Sequence, residues 1–211
     1  MLGIAKAVGE SGQGVFEIVA DFADLEQEFA MLRRMVEISG RPMSISVAQN
    51  DRVPDQWRKL LDLIGAAAAE GLPMHAQVPP RAIGLLFGLE ASLHPFGGHE
   101  TFRKEVAGLP HAEQVARLRD PAIRARILSE SSPPGLEYLM ERFDRLFLLG
   151  DPPDYEPAPE TSVAAQAKQL GIAAKERVYD LLLENEGRAL LYSPFLNYTD
   201  FDLEVSREML A

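Results

Sequence analysis

The chain has 211 residues, 46% of them hydrophobic and 25% charged, with a net charge of −11. That is apolar material for one large domain or one and a half, and the acidic balance repels phosphate backbones, which argues against a nucleic-acid partner. The absence of cysteine excludes disulfides, thiolate nucleophiles and cysteine-ligated zinc. With no apolar run near the roughly 20 residues that cross a bilayer, and no signal-peptide order at the start, the expectation is a soluble cytoplasmic protein without a membrane partner.

Residues 2–10 read as a helix ahead of the first of three apolar runs, residues 15–21 (VFEIVAD). The second and third runs are residues 43–49 (MSISVAQ) and 73–79 (PMHAQVP). Their starts lie 28 and 30 residues apart, the length of a strand, a helix and two short loops. Between the first two runs, Leu25, Phe29, Leu32 and Val36 recur at i, i+4, i+7 and i+11, one stripe of a helix. Asp24 stands at the N-cap position with Gln27 three residues on, and Gly40 stands where the helix stops. Between the second and third runs, residues 54–70 carry Pro54 in the first turn and Leu60, Leu61, Ile64, Ala67 and Ala68 on the side to be buried. Gly71 ends them. Residues 15–79 therefore predict strand-helix-strand-helix-strand, with parallel pairing and right-handed crossovers.

After Pro80 the texture changes. Residues 83–89 form a short apolar piece and residues 94–99 (HPFGGH) a loop. Helices are predicted over residues 101–106, 111–119, 121–129, 136–146, 161–170 and 175–184, with Pro121 harmless in a first turn and the proline-rich residues 150–159 irregular. The fold class expected is α/β with a largely helical second half. Three segments follow: 1–92 as a βαβαβ unit, 93–160 as a helical and loop insertion, and 161–211 as a helical continuation leading back to the sheet.

Chemistry in parallel α/β folds gathers at the carboxyl ends of strands. Alternation puts Glu17, Val19 and Asp21 on one face of their strand, Val47 and Gln49 on one face of theirs, and His75, Gln77 and Pro79 on one face of the third. If these faces are interior, Asp21, Gln49, Gln77 and Arg81 converge. A polar side chain ending an apolar strand costs stability unless something hydrogen-bonds to it, whether a ligand or loop backbone. None of the four histidines has metal-motif spacing: His94 and His99 flank a glycine pair, His75 reads as a core residue, and His111 stands at a helix start. No nucleophile elbow, phosphate loop or dinucleotide fingerprint is present, and Gly9, Gly12 and Gly14 precede a strand rather than follow one.

Longer phrases are more specific. EISGRPMSISVAQ followed by QWRKLLDLIGAAAAEGLPMHAQVPPRAIG, and then LPHAEQVARLRDPAIRARIL, LGDPPDYEPAPETSVAAQAKQLG and YDLLLENEGRALLYSPFLNY, resemble the amidohydrolase superfamily, N-acyl-D-amino-acid deacylase type. The resemblance runs from about residue 2 to residue 210. It implies the middle-to-late part of a TIM-type (β/α)8 barrel whose parent hydrolyses the amide bond of N-acyl amino acids, a metal-bound water attacking while an aspartate moves the proton. The His-x-His pair of the first strand would precede Met1, and the catalytic aspartate would follow Ala211.

The resemblance also marks departures. Where relatives carry a ligand histidine on each of two middle strands, this sequence has Glu17 to Asp21 on one and Val47 to Gln49 on the other. Valine cannot bind a metal and glutamine is a poor zinc ligand. Glu17 and Asp21 are the metal candidates that remain, short of the about three protein ligands of a catalytic zinc. Gln49, Gln77 and Arg81 are the substrate-binding candidates, with Arg81 suited to clamp a carboxylate. Zinc is thus expected in the intact parent and not in this chain alone, which is expected to be inert. A half barrel leaves open strand edges and apolar interior faces, so a homo-oligomer is expected. The rival reading is a non-catalytic barrel remnant that binds or self-associates. A third, an unrelated α/β enzyme with Asp21 as acid/base, expects Asp21→Asn to lose activity with the fold unchanged.

Overall fold

Three parallel strands come first, as the spacing of the apolar runs predicts. In the computed structural model, which describes residues 1–135 and 137–211, α1 (Leu2–Ser11) leads into β1 (Phe16–Ile18), α2 (Leu25–Ser39), β2 (Met43–Ser46), α3 (Gln56–Ala69) and β3 (Met74–Gln77). The sheet order is β1-β2-β3, both pairings are parallel, and Met43 lies opposite both Phe16 and Met74. The strands are shorter than the apolar runs because pairing stops where each run leaves the sheet for its carboxyl-terminal loop.

Helix α2 shows why these residues form this element. The Asp24 carboxylate accepts the Gln27 N–H at 3.1 Å, and Glu28, rather than Gln27, answers by accepting the Asp24 N–H at 3.1 Å. Gly40 closes the helix at φ 62°, its N–H donating to Val36 at 2.8 Å. In α3 the buried positions are Trp57, Leu60, Ile64 and Ala67, while Ala68 is exposed.

All three helices use the same side of the sheet. Phe16, Met43, Ile45 and Met74 belong to one buried cluster with Ala5 of α1, Phe29, Leu32 and Val36 of α2, and Trp57, Leu60 and Ile64 of α3. The other face carries the row Glu17, Ser44 and His75, and then Ser46 beside Gln77. Glu17, His75 and Gln77 are exposed there. The expectation of an apolar interior face is corrected: the apolar phase of each strand is used against the helices, and the opposite phase is polar.

α1 docks tightly on the end of α2. A Cβ on Gly9 would lie 2.8 Å from the Ser39 Cα and 2.9 Å from its carbonyl oxygen. Alanine is the better helix former by about 1 kcal/mol, but overpacking against backbone costs about 1–3 kcal/mol. Gly9→Ala is therefore expected to destabilise the chain in urea, whereas Gly3→Ala, with nothing within 4 Å of its Cβ, is not. A stabilised Gly9→Ala would show that α1 does not pack there.

The chain divides into two compact units, residues 1–82 with 196–211, and residues 83–195. The first unit thus holds β1 to β3 together with α11 (Glu204–Leu210). The units meet after residues 82 and 195, where the three expected segments meet after residues 92 and 160.

The second unit contains β4 (Ile83–Phe87), α4 (Glu100–Glu105), α5 (His111–Leu118), α6 (Pro121–Ser129), α7 (Glu137–Met140), β5 (Phe147–Leu148), α8 (Val163–Leu170), α9 (Ala174–Leu182), the turn α10 (Glu184–Gly187) and most of β6 (Leu191–Leu196). Its strands form a second sheet in the order β4-β6-β5, with β5 and β6 antiparallel. β5 and β6 lie where the sequence predicts helix and loop. The helix expected over residues 136–146 stops at Met140, and a 3-10 turn at Phe143–Arg145 leads into β5; residue 136 itself lies outside the described residues. Pro121 opens α6 as expected, with Asp120 accepting the Ala122 N–H at 2.8 Å. The core is a cluster around Phe87, Phe96, Phe102, Ile123, Ile127, Tyr179 and Leu191. Among the described residues no helix is long and apolar enough to cross a membrane.

Candidate functional site

The carboxyl ends of β2 and β3 are tied together by Asn197, a residue that the sequence reading does not single out. It is fully buried, with φ 58°. Its Oδ1 accepts the Gln49 N–H at 2.7 Å, its own N–H donates to the Gln49 carbonyl at 3.1 Å, and its Nδ2 reaches the Pro79 carbonyl at 3.5 Å. Gln49, 5% exposed, spends its side chain on the same segment: Oε1 accepts the Thr199 N–H at 3.3 Å, and Nε2 donates to Asp200 at 3.5 Å. The Thr199 hydroxyl donates to Asp51 at 2.8 Å. Gln56 adds the loop after β1 by donating to the Phe22 carbonyl at 2.9 Å.

This rim also holds strained backbone. Phe22, Asn197 and Phe201 have φ of 49°, 58° and 62°. Left-handed geometry costs a residue with a Cβ about 1–2 kcal/mol, and such strain persists where surrounding contacts enforce it, characteristically at binding sites.

Beside the rim lies a cleft of about 430 Å³ lined by Gln49, Pro54, Asp55, Trp57, Arg58, Thr199, Asp200, Asp202, Glu204, Val205 and Glu208. Carboxylates dominate it. The one guanidinium, Arg58, is held by both oxygens of Glu208 and lies 4.1 Å over the Trp57 ring. That bond holds the Glu208 carboxyl below the usual carboxylate range and raises Arg58. Such a lining suits ammonium or hydroxyl groups better than a free carboxylate.

The residues predicted from the sequence are dispersed. Burial alternates in step from Met43 through Ile45 and Val47 to Gln49, so Gln49 continues the helix-covered phase. Gln77 lies on the exposed face, where its Oε1 accepts the Ser44 hydroxyl at 2.9 Å. Arg81, exposed after β3, donates to the Ala82 carbonyl at 3.2 Å. Glu17 is exposed in the row with Ser44 and His75, and Asp21 is exposed beyond β1. The expected convergence of Asp21, Gln49, Gln77 and Arg81 is therefore corrected by register, which sets Gln49 and Gln77 on opposite sides of the sheet. Among the described residues no group of three or more histidines and carboxylates is placed to hold a metal ion, and the two metal candidates, Glu17 and Asp21, are both exposed. His94 and His99 are buried in the second unit, His99 bonding the Ile127 carbonyl at 2.9 Å.

The missed residues carry one local signal. NYTD at residues 197–200 follows the apolar run of β6 and has the composition of a side-chain-bonded turn. Comparison with protein-family models, with curated proteins and with solved structures finds no match for the chain.

Proposed function

We propose that this chain is a middle-to-late barrel segment of an amidohydrolase of the N-acyl-D-amino-acid deacylase type, whose intact form hydrolyses the amide bond of N-acyl amino acids. The reaction rests on the sequence resemblance, since a fold by itself does not assign one. The observation that carries the barrel reading is the one-sided parallel sheet. A doubly wound sheet reverses its strand order and covers both faces. Here β1, β2 and β3 follow in order with α2 and α3 on one face, which agrees with consecutive staves of a TIM-type barrel and equally with one βαβαβ half of a doubly wound sheet.

Amide hydrolysis of this type uses a metal-bound water and a carboxylate that moves the proton. Among the described residues no three histidines or carboxylates stand together, and this reading gives the chain a part in binding and positioning. Arg81, at the mouth after β3, has the fork geometry for a substrate carboxylate.

The isolated chain is expected to show no turnover of N-acetyl-D-amino acids with or without zinc. Zinc-dependent turnover by the isolated chain would overturn its inertness. The coding sequence on either side is expected to supply a His-x-His upstream and an aspartate downstream, and a polypeptide containing both is expected to hydrolyse the same substrates. Failure of that longer polypeptide with zinc present would sink the hydrolase assignment.

Self-association has its own support. β1 is an edge strand, and Val15 and Val19 beside it are 65% and 81% exposed. Light scattering across a concentration series is expected to show a homo-oligomer, and a monomer throughout would refute it.

A further inference from the structure

Between α9 and β6 the backbone makes a left-handed turn. Asn185 (φ 50°, ψ 42°) and Glu186 (φ 55°, ψ 42°) are followed by Gly187 at φ 77°. L-residues enter this region one at a time, because the Cβ crowds the following carbonyl. Gly187 is required here for space as well: a Cβ would lie 2.6 Å from Val115 and 3.2 Å from the His111 ring. The turn is pressed onto α5, and His111 Nε2 donates to the Glu186 carbonyl at 2.9 Å.

A cleft of about 280 Å³ opens at this contact, with His111, Ala112, Val115, Arg119, Glu186 and Arg188 in its lining. Two guanidiniums and an imidazole meet there in a chain of net charge −11. Their carboxylate partners hold them loosely. Arg119 and Glu186 pair at 3.1 Å with side chains 52% and 71% exposed. Glu90 stands 3.5 Å from Arg188 and 3.9 Å from His111 Nδ1, a carboxylate shared between a guanidinium and an imidazole. Exposed pairs of this kind contribute little and exchange readily.

We propose that this cleft binds a small organic anion, a carboxylate or phosphate monoester on a short aliphatic body. The oxyanion bonds Arg119 and Arg188, the body lies along Ala112 and Val115, and with no ligand bound Glu90 occupies Arg188 and Glu186 occupies Arg119. Guanidinium favours these head groups because its N–H donors match two oxygens at once. The site owes nothing to the strand ends of the first unit and holds whether or not the parent is a hydrolase.

Isothermal titration of the full chain with butyrate, butyl phosphate and butanol at constant ionic strength tests it. Saturable binding of at least one anion and none of butanol is expected, the tighter anion identifying the head group. Arg188→Gln is expected to weaken that binding about tenfold, the loss of one charge-assisted contact. Glu90→Gln is expected to tighten it by removing the internal competitor. No saturable binding of either anion up to about 10 mM would overturn the proposal. So would an affinity that Arg188→Gln leaves unchanged, or one that Glu90→Gln lowers.

Discussion

Asn197→Ala is expected to lower folding stability by about 2–4 kcal/mol, combining a buried N–H left without its acceptor with alanine in a left-handed backbone. The stranded donor is the Gln49 N–H, which Asn197 Oδ1 accepts at 2.7 Å. The backbone term is separable. Asn197→Gly keeps the conformation and loses only the side-chain bonds, so it is expected to retain about 1 kcal/mol more stability than the alanine variant. Urea midpoints of the full chain measure both. Variants equal to each other and within about 0.5 kcal/mol of the parent would show that the rim does not depend on this residue.

Acidification is expected to destabilise the second unit by way of His94. Its side chain is 7% exposed, packs edge-on against Phe102 at 4.4 Å, and has no hydrogen-bond partner at Nδ1 among the described residues. Burial, assisted by the nearby His99, pushes it down to about 4 from an ordinary value of 6.5. The unfolded chain therefore takes up the proton first. The contribution of His94 is fully present above about pH 6.5, declines as the pH falls toward about 4, and is constant below that. The full change is on the order of 3 kcal/mol. His99, also lowered by burial, adds in the same direction. His94→Phe keeps the aromatic contact and removes the titration, so its urea midpoint is expected to fall less than the parent's between pH 7 and pH 4.5. Equal falls in the two chains would refute the burial argument for His94.

Much of the first unit is legible from neighbouring residues. α2 can be read to its ends because cap, stripe and stop each lie within a turn of what they satisfy: Asp24 with the Gln27 N–H, and Gly40 with the Val36 carbonyl. The parallel order of β1 to β3 follows from strand spacing and crossover length. β6 is not legible in this way. Its first four residues are all buried, so no alternation marks it, and Pro194 within the run argues against a strand.

Each strand's own alternation is a property of the sequence, since successive side chains must point to opposite faces. The phase of one strand against the next is not, because it depends on which residues pair across the sheet. Ser44 opposite both Glu17 and His75, and Ser46 opposite Gln77, separate the polar strand ends that alternation alone would gather.

The sequence by itself determined the helices, their caps and the run of three parallel strands, all of which rest on contacts within a turn or on loop lengths. The tertiary structure decided the rim at Gln49 and the cleft at Arg188. Their partners lie far along the chain, Asn197 being 148 residues from Gln49 and Glu186 75 residues from His111. Residues so separated meet only after intervening elements have packed, and no periodicity in the sequence encodes that meeting.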